Sequence, residues 1–323
     1  MAVIVAGSIA TDHLMHFPGK FSEQLLADQL HKVSLSFLVD DLVVRRGGVA
    51  PNICYGIAAL GGSPVLLGAV GQDFDEYRAW LEEHGVNCDF VHVSKTRHTA
   101  RFVCTTDEDM CQIGSFYAGA MGEAAEIEIA DAWKATEADL VVISAYDPAA
   151  MIQHSAECRE HGFRFVADPS QQITRMDGEQ LDQLIDGAEM LFTNEYEKNL
   201  LESKTGQSED AILARVGVRI TTLGSGGVEV VGHGVERVHV PVAKEQGRAD
   251  PTGVGDGFRA GLLTAREWDL SWERSAQVGS LLATMVLETV GTQEYEVESG
   301  AFADRLAESY GDECAAEVLP YLG

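Results

Sequence analysis

The segment Asp250-Pro-Thr-Gly-Val-Gly-Asp256 has the residue types of an anion-binding turn, and the helical pattern Gly257-Phe-Arg-Ala-Gly261 follows it. Gly253 and Gly255 stand where this helix is predicted to begin, so bare backbone N–H groups and the helix dipole could hold an anion there. Asp256 falls in the first helical turn, where an aspartate commonly caps the helix. A carboxylate beside an anion cradle also suits a base for a hydroxyl that attacks phosphorus. The pattern leaves both roles open for Asp256.

Polar loops follow three predicted core strands. They are Asp168-Pro-Ser-Gln-Gln172 after Phe163–Ala167, Asn194-Glu-Tyr-Glu197 after Met190–Thr193, and Leu223-Gly-Ser-Gly-Gly227 after Val218–Thr222. Ligands of open α/β sheets bind beyond the carboxyl ends of the strands. One such cluster alone is more often an ordinary polar loop. Three clusters in succession favour a common ligand-binding rim.

The elements that must position these loops show the pattern of an α/β fold. Short apolar runs without polar alternation are typical of strands buried on both faces. Besides those above, such runs are Val3–Ala6, Val65–Ala69 and Leu140–Ile143. Amphipathic segments such as Pro148–Glu160 and Gln180–Ile185 lie between them. This alternation predicts a mostly parallel central sheet flanked by helices.

Two segments alternate with period two, as half-exposed antiparallel strands do. In the first, the apolar residues Val33, Leu35, Phe37 and Val39 precede Asp40–Arg46; the second is Thr99–Phe116. They predict a small antiparallel β-sheet that projects from the main domain as a lid. No linker separates the parts. We therefore expect a single domain over residues 1–323, with lid inserts at about 14–46 and 98–117.

The composition restricts the partners and the compartment. Lys and Arg number 23 against 51 Asp and Glu, a formal net charge of −28, which disfavours nucleic acid and anionic membranes as partners. The six cysteines are scattered, as in proteins of a reducing compartment. The apolar N-terminal run lacks the basic region of a signal peptide, and no run is long enough to span a membrane. We expect a cytoplasmic protein.

Other nucleotide and hydrolase motifs do not match. Gly19-Lys20 is followed by Phe21, so it is no P-loop, and Gly7-Ser-Ile-Ala-Thr-Asp12 stands where a dinucleotide fingerprint would follow the first strand. His13 and His16 do not form a zinc-protease pair, and the serine-hydrolase pattern G-x-S-x-G is absent from the sequence.

Four segments, in order along the chain, resemble the motifs of the ribokinase-like (PfkB) family of carbohydrate and nucleoside kinases. They are Gly47-Gly48-Val-Ala-Pro-Asn52, Asn194 with Glu197 as N-x-x-E, Thr222–Gly227, and Asp250–Gly261. The resemblance implies a Rossmann-like sheet with a small β-lid. It also implies ATP and Mg²⁺ as cofactors, with a monovalent cation such as K⁺ near Asp250 and Thr252.

Within this family the chain is most similar to bacterial ribokinase-type adenosine kinases. The similarity lies in Gly7–Asp12, Ser34-Leu-Ser-Phe-Leu-Val-Asp40, Asp168–Gln172 and Gly291-Thr-Gln-Glu294. It implies ATP-dependent phosphorylation of the adenosine 5′-hydroxyl to give AMP, a purine-salvage reaction, with Asp256 as general base. Two alternatives remain: a ribokinase-type kinase of ribose or fructose, and a non-catalytic nucleoside sensor. The intact Asp256 argues against the sensor.

The resemblance also assigns roles to individual residues. Asp12, Gly48 and Asn52 would contact the sugar, and Phe102 with Phe116 would sandwich adenine. Residues that would complete the nucleoside pocket are Ser8, Ser36, Gln171, Gln172 and Arg175. Structural alternatives at these positions are a strand-end turn for Asp12, a helix cap for Asn52 and a core role for the phenylalanines.

The remaining implied roles concern the phosphates. Gly253 and Gly255 would stabilise the transferred group, and Glu197 would hold Mg²⁺ through water, although a solvated helix face is the alternative for Glu197. The residues implied to bind ATP are Asn194, Thr222, Leu223, Gly224, Ser225, Gly226, Gly227 and Gly255. If the free face of the lid pairs with another lid, the protein is a homodimer.

Overall fold

The structure is a computed structural model that describes residues 2–25, 32 and 34–322. The strands are Ala2–Ala6 (β1), Ala10–His16 (β2), Asp41–Gly47 (β3), Ser63–Val70 (β4), Val91–Val93 (β5), Ala100–Thr106 (β6), Gln112–Tyr117 (β7), Ala138–Ile143 (β8), Phe165–Ala167 (β9), Met190–Asn194 (β10), Val218–Thr222 (β11), Val228–Gly232 (β12) and Val235–Val240 (β13). The α-helices are Phe21–Gln24 (α1), Val49–Ala59 (α2), Asp75–Glu83 (α3), Ile129–Thr136 (α4), Pro148–His161 (α5), Gly178–Ile185 (α6), Glu195–Thr205 (α7), Glu209–Leu213 (α8), Val254–Glu267 (α9), Trp272–Leu287 (α10), Ser299–Tyr310 (α11) and Asp312–Val318 (α12). Short 3₁₀ turns are Gln72–Phe74, Gly119–Glu126, Ser170–Thr174, Gly224–Gly226 and Leu319–Tyr321.

The larger sheet has the strand order β13-β12-β11-β10-β9-β8-β1-β4-β5. Pairing is parallel from β11 through to β5, and β12 and β13 add antiparallel strands at one edge. The predicted mostly parallel α/β sheet is confirmed. β1 lies between β4 and β8, so later strands are added on both sides of β1. The crevice at the carboxyl end of β1 is therefore a topological switch point.

Helices cover both faces of this sheet because its strands are apolar on both sides. In β1, Val3 and Val5 belong to one core cluster, whereas Ile4 and Ala6 belong to the other. The first cluster includes residues of α2, α3 and α9 to α12, and the second includes residues of α4 to α8. A strand packed in this way contains apolar residues at successive positions, which explains the continuous runs in the sequence.

The smaller sheet has the order β3-β2-β6-β7. Its outer pairs are antiparallel and its central pair, β2 with β6, is parallel. We keep the name lid for this sheet. β2 begins at Ala10, before the predicted insert boundary near residue 14.

The strand predicted over the first alternating segment is wrong in position. Residues 34–39 form neither helix nor strand, Val33 lies outside the described residues, and β3 begins at Asp41. The ring of Phe37 packs 5.0 Å from that of Phe17 and 4.9 Å from that of Phe21, measured between centroids. Phe37 therefore joins a local aromatic cluster with Phe17 and Phe21, Leu35 and Leu38 are exposed, and the segment does not form one face of a pleated strand.

Candidate active site

Most residues predicted to hold a nucleoside surround one cavity of about 410 Å³ at the carboxyl end of β1, which we call the first cavity. The predicted residues in its lining are Ser8, Asp12, Gly48, Asn52, Phe116, Gln171, Gln172, Arg175, Gly253 and Asp256. Ser36 and Phe102 do not belong to this lining. The cavity thus joins residues from both ends of the chain, as a site beside a topological switch point does.

Gly48 lets the backbone pass close to this cavity. It precedes α2 with a φ of 97°, and a Cβ atom there would lie 2.5 Å from the carbonyl oxygen of Ser8. Only glycine fits such a position without strain. Asn52 lies inside α2, where its backbone N–H bonds to Gly48, so Asn52 does not cap this helix and its side chain is free for other contacts.

Asp12 lies within β2 and faces the first cavity together with lid residues. Pairing places Asp12 opposite Arg45 on β3 and Phe102 on β6, and Phe102 opposite Phe116 on β7. Directly opposed residues share a face of the sheet. Burial raises the pKa of Asp12 to about 6, against the opposing effect of Arg45 and with a smaller contribution from Asp250. A carboxyl and two aromatic rings on one lid face suit a sugar hydroxyl and a flat base.

Asp256 occupies the first turn of α9 but does not cap it. The N-cap is Gly253, with a φ of 76° and no side-chain cap hydrogen bond. Instead, the Nδ2 group of Asn52 donates to Oδ2 of Asp256 over 2.8 Å. Burial raises the pKa of Asp256 to about 7, against the lowering effects of Arg259 and Asn52. A carboxyl with that pKa is poised to accept a proton near neutral pH.

Arg259 ties this turn to the sheet, a role that we did not predict. Its Nε and Nη2 groups each donate to Asp168 over 2.6 Å, and Nη1 donates to the Gly255 carbonyl over 2.9 Å. Asp168 directly follows β9, so the bidentate pair joins the start of α9 to a strand end. The available signal was an arginine placed between the apolar and small residues Phe258 and Ala260 of α9.

A second cavity, of about 620 Å³, adjoins the other side of the turn. Its predicted lining residues are Thr222, Gly224, Ser225, Gly227 and Gly255. Three predicted residues, Leu223, Gly226 and Asn194, do not line this cavity. Leu223 and Gly226 instead close the loop, because the Leu223 N–H donates to the Gly227 carbonyl and the Gly226 N–H donates to the Leu223 carbonyl. Lys244 and Arg248 line it and were missed, although two cations just before Asp250 stand out in an acidic chain.

The turn that carries the glycines therefore separates the two cavities. Gly253 and Asp256 line the first, whereas Val254 and Gly255 line the second. Backbone N–H groups at the start of a helix favour negative charge. A group bound in one cavity could thus meet a group bound in the other at a point flanked by amides and a carboxylate.

Asn194 and Glu197 form a reciprocal cap at the start of α7. The backbone N–H of Asn194 donates to Glu197 Oε2, and that of Glu197 donates to Asn194 Oδ1, each over 2.8 Å. Glu197 is buried, so it is not the solvated helix residue of the structural alternative. Burial raises its pKa, against the backbone bond from Asn194 and the charge of Arg259.

Glu197 lines neither cavity, so it could act only on an Mg²⁺ ion held mainly by water and phosphate. No group of three or more His, Cys, Asp or Glu residues that could hold a metal occurs in the part of the chain that the structure describes. Mg²⁺ usually keeps several waters and needs only one or two carboxylates beside substrate phosphates. Glu197 could supply one such carboxylate.

The predicted position near Asp250 and Thr252 is less suited to a monovalent cation. Oδ2 of Asp250 accepts a hydrogen bond from Arg45 over 3.0 Å, and Oδ1 accepts one from the backbone N–H of Thr252 over 2.9 Å. Although burial acts in the opposite direction, the bonds from Thr252 and the charge of Arg45 hold the pKa of Asp250 below its usual value. Arg45 already compensates this carboxylate, so it does not call for a further cation.

Comparison with known proteins identifies the class and the family. A model of the "pfkB family carbohydrate kinase" matches residues 11–299. The chain is 30% identical to a nucleoside kinase of Methanocaldococcus jannaschii over 252 residues, which cover 76% of this chain and 80% of the relative. The solved Burkholderia thailandensis nucleoside kinase in complex with inosine has a TM-score of 0.82 at 32% identity, covering 96% of this chain and 98% of that one.

A third similarity is to the crystal structure of a Methanocaldococcus jannaschii nucleoside kinase, an archaeal member of the ribokinase family. Its TM-score is 0.81 at 25% identity, with 95% of this chain and 98% of that chain covered. Fold and site together define a phosphotransferase of the nucleoside and sugar kinase class. The chain belongs to the PfkB family of carbohydrate kinases. Within the described ranges, no helix combines the length and hydrophobicity needed to cross a membrane.

Proposed function

We propose that this kinase transfers the γ-phosphoryl group of ATP to the 5′-hydroxyl of adenosine. The observation that carries the proposal is the position of the turn at the start of α9. It presents Asp256 to the first cavity and Gly255 to the second. An acceptor hydroxyl in the first cavity and a phosphate chain in the second would meet at this turn, the in-line arrangement that phosphoryl transfer requires.

The residues of the first cavity suit a nucleoside. Asp12 and Asn52 offer a carboxyl and an amide to ribose hydroxyls, and the exposed ring of Phe116 offers a stacking surface to a base. Gln172 adds a buried carboxamide oxygen that has no hydrogen-bond partner among the described residues. Such an acceptor suits a ligand N–H or O–H group. Phe116 favours a nucleoside over a free sugar.

Catalysis would rest on position and charge. Asp256 orients the hydroxyl and takes its proton as the new oxygen–phosphorus bond forms and the bond from the γ-phosphorus to the departing ADP breaks. The amides of Gly253 and Gly255 and the N-terminus of α9 stabilise the charge on the transferred group. Mg²⁺, when bound, would neutralise phosphate charge, and Glu197 would help to hold it through water. Lys244 would reduce repulsion of ATP by this acidic protein, whereas Arg248 is paired with Glu245 of the same lining.

The choice of adenosine rests on the sequence resemblance, and a purine nucleoside has further support from a relative. The similar Burkholderia thailandensis protein was solved in complex with inosine and also with ADP-inosine. Adenosine and inosine differ at the purine 6-position, where one has an amino group and the other a carbonyl. Formation of AMP would place the chain in the salvage of purine nucleosides.

A coupled assay of ADP formation tests the proposal. The acceptors are adenosine, inosine, guanosine, cytidine, ribose and fructose, each with ATP and Mg²⁺, with a reaction lacking acceptor as the blank. We expect the highest kcat/KM with adenosine. Preference for ribose or fructose would favour a sugar kinase, and another nucleoside as best acceptor would correct the substrate alone. A rate equal to the blank with every acceptor would contradict a kinase function and favour the sensor.

A further inference from the structure

A chain of hydrogen bonds, buried in all but its last bond, leads from the lid to Asp256. The hydroxyl of Tyr77 on α3 donates to the Gly47 carbonyl over 3.0 Å. Gln293 Nε2 donates to that hydroxyl over 2.6 Å and to Asn52 Oδ1 over 2.9 Å. Asn52 Nδ2 then donates to Asp256 Oδ2 over 2.8 Å. Neither Tyr77 nor Gln293 lines the first cavity.

The direction of every bond in this chain follows from its first member. A backbone carbonyl can only accept, so the single hydroxyl proton of Tyr77 is used on Gly47 and the Tyr77 oxygen accepts from Gln293. Both protons of the Gln293 amide are then committed. A rotated Asn52 amide would set its N–H group against Gln293 Nε2, donor against donor. The Asn52 N–H group must therefore point at Asp256.

We propose that Gln293 and Tyr77 are positioning residues that fix the Asn52 amide, so that it always donates to Asp256 and holds this base ionised and aimed at the acceptor hydroxyl. The inference rests on the proposed role of Asp256 as base. A hydrogen bond donated to a carboxylate favours its charged form. The chain thus opposes the burial that would otherwise keep Asp256 protonated.

The unpaired side-chain oxygen of Gln293 supports this positioning role. Gln293 is buried, and its Oε1 atom has no hydrogen-bond partner among the described residues. A buried acceptor without a partner is costly, and such atoms occur in few places in native proteins. Here both donors of the same amide are used while its acceptor is left, as expected if the site requires the donors.

The other groups that affect the pKa of Asp256 are unchanged when Gln293 or Tyr77 is substituted. Arg259, from the same helix, lowers its pKa, and Asp168 beyond β9 raises it. Tyr295 is a further titratable group that interacts with Asp256. A shift caused by loss of Gln293 or Tyr77 therefore reports the Asn52 bond.

The test is an NMR titration of the Asp256 carboxyl in the ligand-free protein, with the signal assigned by its loss in Asp256→Asn. Gln293→Met removes both donors at similar size, and we expect the Asp256 pKa to rise. Tyr77→Phe, which leaves the Gln293 to Asn52 bond possible, should shift the pKa in the same direction by less. In the assay, kcat of Gln293→Met should fall about ten- to a hundredfold, the effect of a bond to a charged group, with a smaller change in KM.

The matched control is Gln277→Met. Gln277 is also buried, and its Oε1 accepts from Arg274 over 2.8 Å on α10, outside both cavity linings. The Gln277→Met variant should be less stable than wild type, but its Asp256 pKa and its pH profile of kcat should not shift. A wild-type Asp256 pKa in Gln293→Met would overturn the inference, and if that variant does not fold, the same result in Tyr77→Phe would. Because the titration needs no turnover, it decides the inference even if no acceptor is phosphorylated.

Discussion

At Asp256, burial and hydrogen bonding act in opposite directions on one carboxyl group. Burial raises its pKa, and the charges and bonds of Arg259 and Asn52 lower it, with a balance at about 7. A fully solvated aspartate, with a pKa of about 4, is a weaker base. The environment, and not the residue type, makes this side chain suitable for a proton acceptor at neutral pH.

Asp256→Asn separates catalysis from capping. The asparagine oxygen can still accept from Asn52 but cannot take a proton, so kcat should fall about 10²- to 10⁴-fold with adenosine affinity within a few-fold. Because the folded-state pKa is raised, the charged carboxylate costs stability above pH 7, and the melting temperature at pH 8 should not fall. Assay and thermal melt check this. Retained turnover with a lower melting temperature would instead support a capping role.

The pH dependence of kcat should report the same group. Only the ionised form of Asp256 acts as a base, so kcat should rise with pH and level off above about 7. Protonation of Asp12, whose pKa is about 6, should raise KM for the nucleoside at lower pH. Steady-state kinetics between pH 5 and 9 give both curves. A kcat that does not change across pH 7 would contradict the role of Asp256.

Phe116→Ala should raise KM for adenosine about five- to a hundredfold, because stacking of a base on an aromatic ring contributes ~1–3 kcal/mol. Phe102→Ala should have a smaller effect, since Phe116 lines the first cavity and Phe102 does not. KM for ATP serves as the internal control and should not change. Unchanged nucleoside KM values in both variants would favour the sugar-kinase alternative.

At the scale of elements, a feature could be predicted from the sequence where neighbouring residues determine it, and could not be predicted where contacts between distant residues do. Core strands such as β1 and β8 were predictable because burial on both faces leaves a local apolar run. The conformation of residues 34–39 was not, because Phe37 packs on Phe17 and Phe21 of a preceding segment and not on a neighbouring strand. The same limit applies to the site, since Arg259 and Asp168 are 91 positions apart. The motif residues could be predicted; the groups that hold them in place could not.

At the start of α7, substitution of Glu197 by glutamine should retain the helix cap and remove the negative charge. In Glu197→Gln, the side-chain oxygen can still accept from the Asn194 N–H, because glutamine also serves in a capping box. The melting temperature and nucleoside affinity should therefore be retained. The Mg²⁺ concentration for half-maximal activity should rise and kcat should fall, as a metal titration would show. A titration that superimposes on wild type would leave Glu197 a purely structural role.

At the scale of the whole molecule, the lid has two unlike faces. One carries Asp12 and Phe116 toward the first cavity. The opposite face carries exposed apolar side chains, namely Leu42, Val44, Ile113 and Tyr117. Exposed apolar surface of this kind, rimmed by polar residues, often marks a protein interface.

We predict that this opposite face pairs with the lid of a second copy. Light scattering at assay concentration should give twice the chain mass of 34.9 kDa. Val44→Asp should yield the monomer, because the pairing would bury an uncompensated charge. Val43→Asp is the matched control, since Val43 is also exposed but points to the other face of the same strand. A monomeric wild-type protein would contradict the prediction.

The turn between the cavities also bears on how such an enzyme can diverge. Among the residues that the structure describes, the two linings have no member in common. A substitution in the first lining, outside the turn residues Thr252, Gly253 and Asp256, could therefore alter which hydroxyl compound is accepted without changing a residue of the second lining. Selection for a new acceptor does not have to rebuild the donor side, so a gene duplicate of this fold can explore new substrates and remain an active kinase throughout.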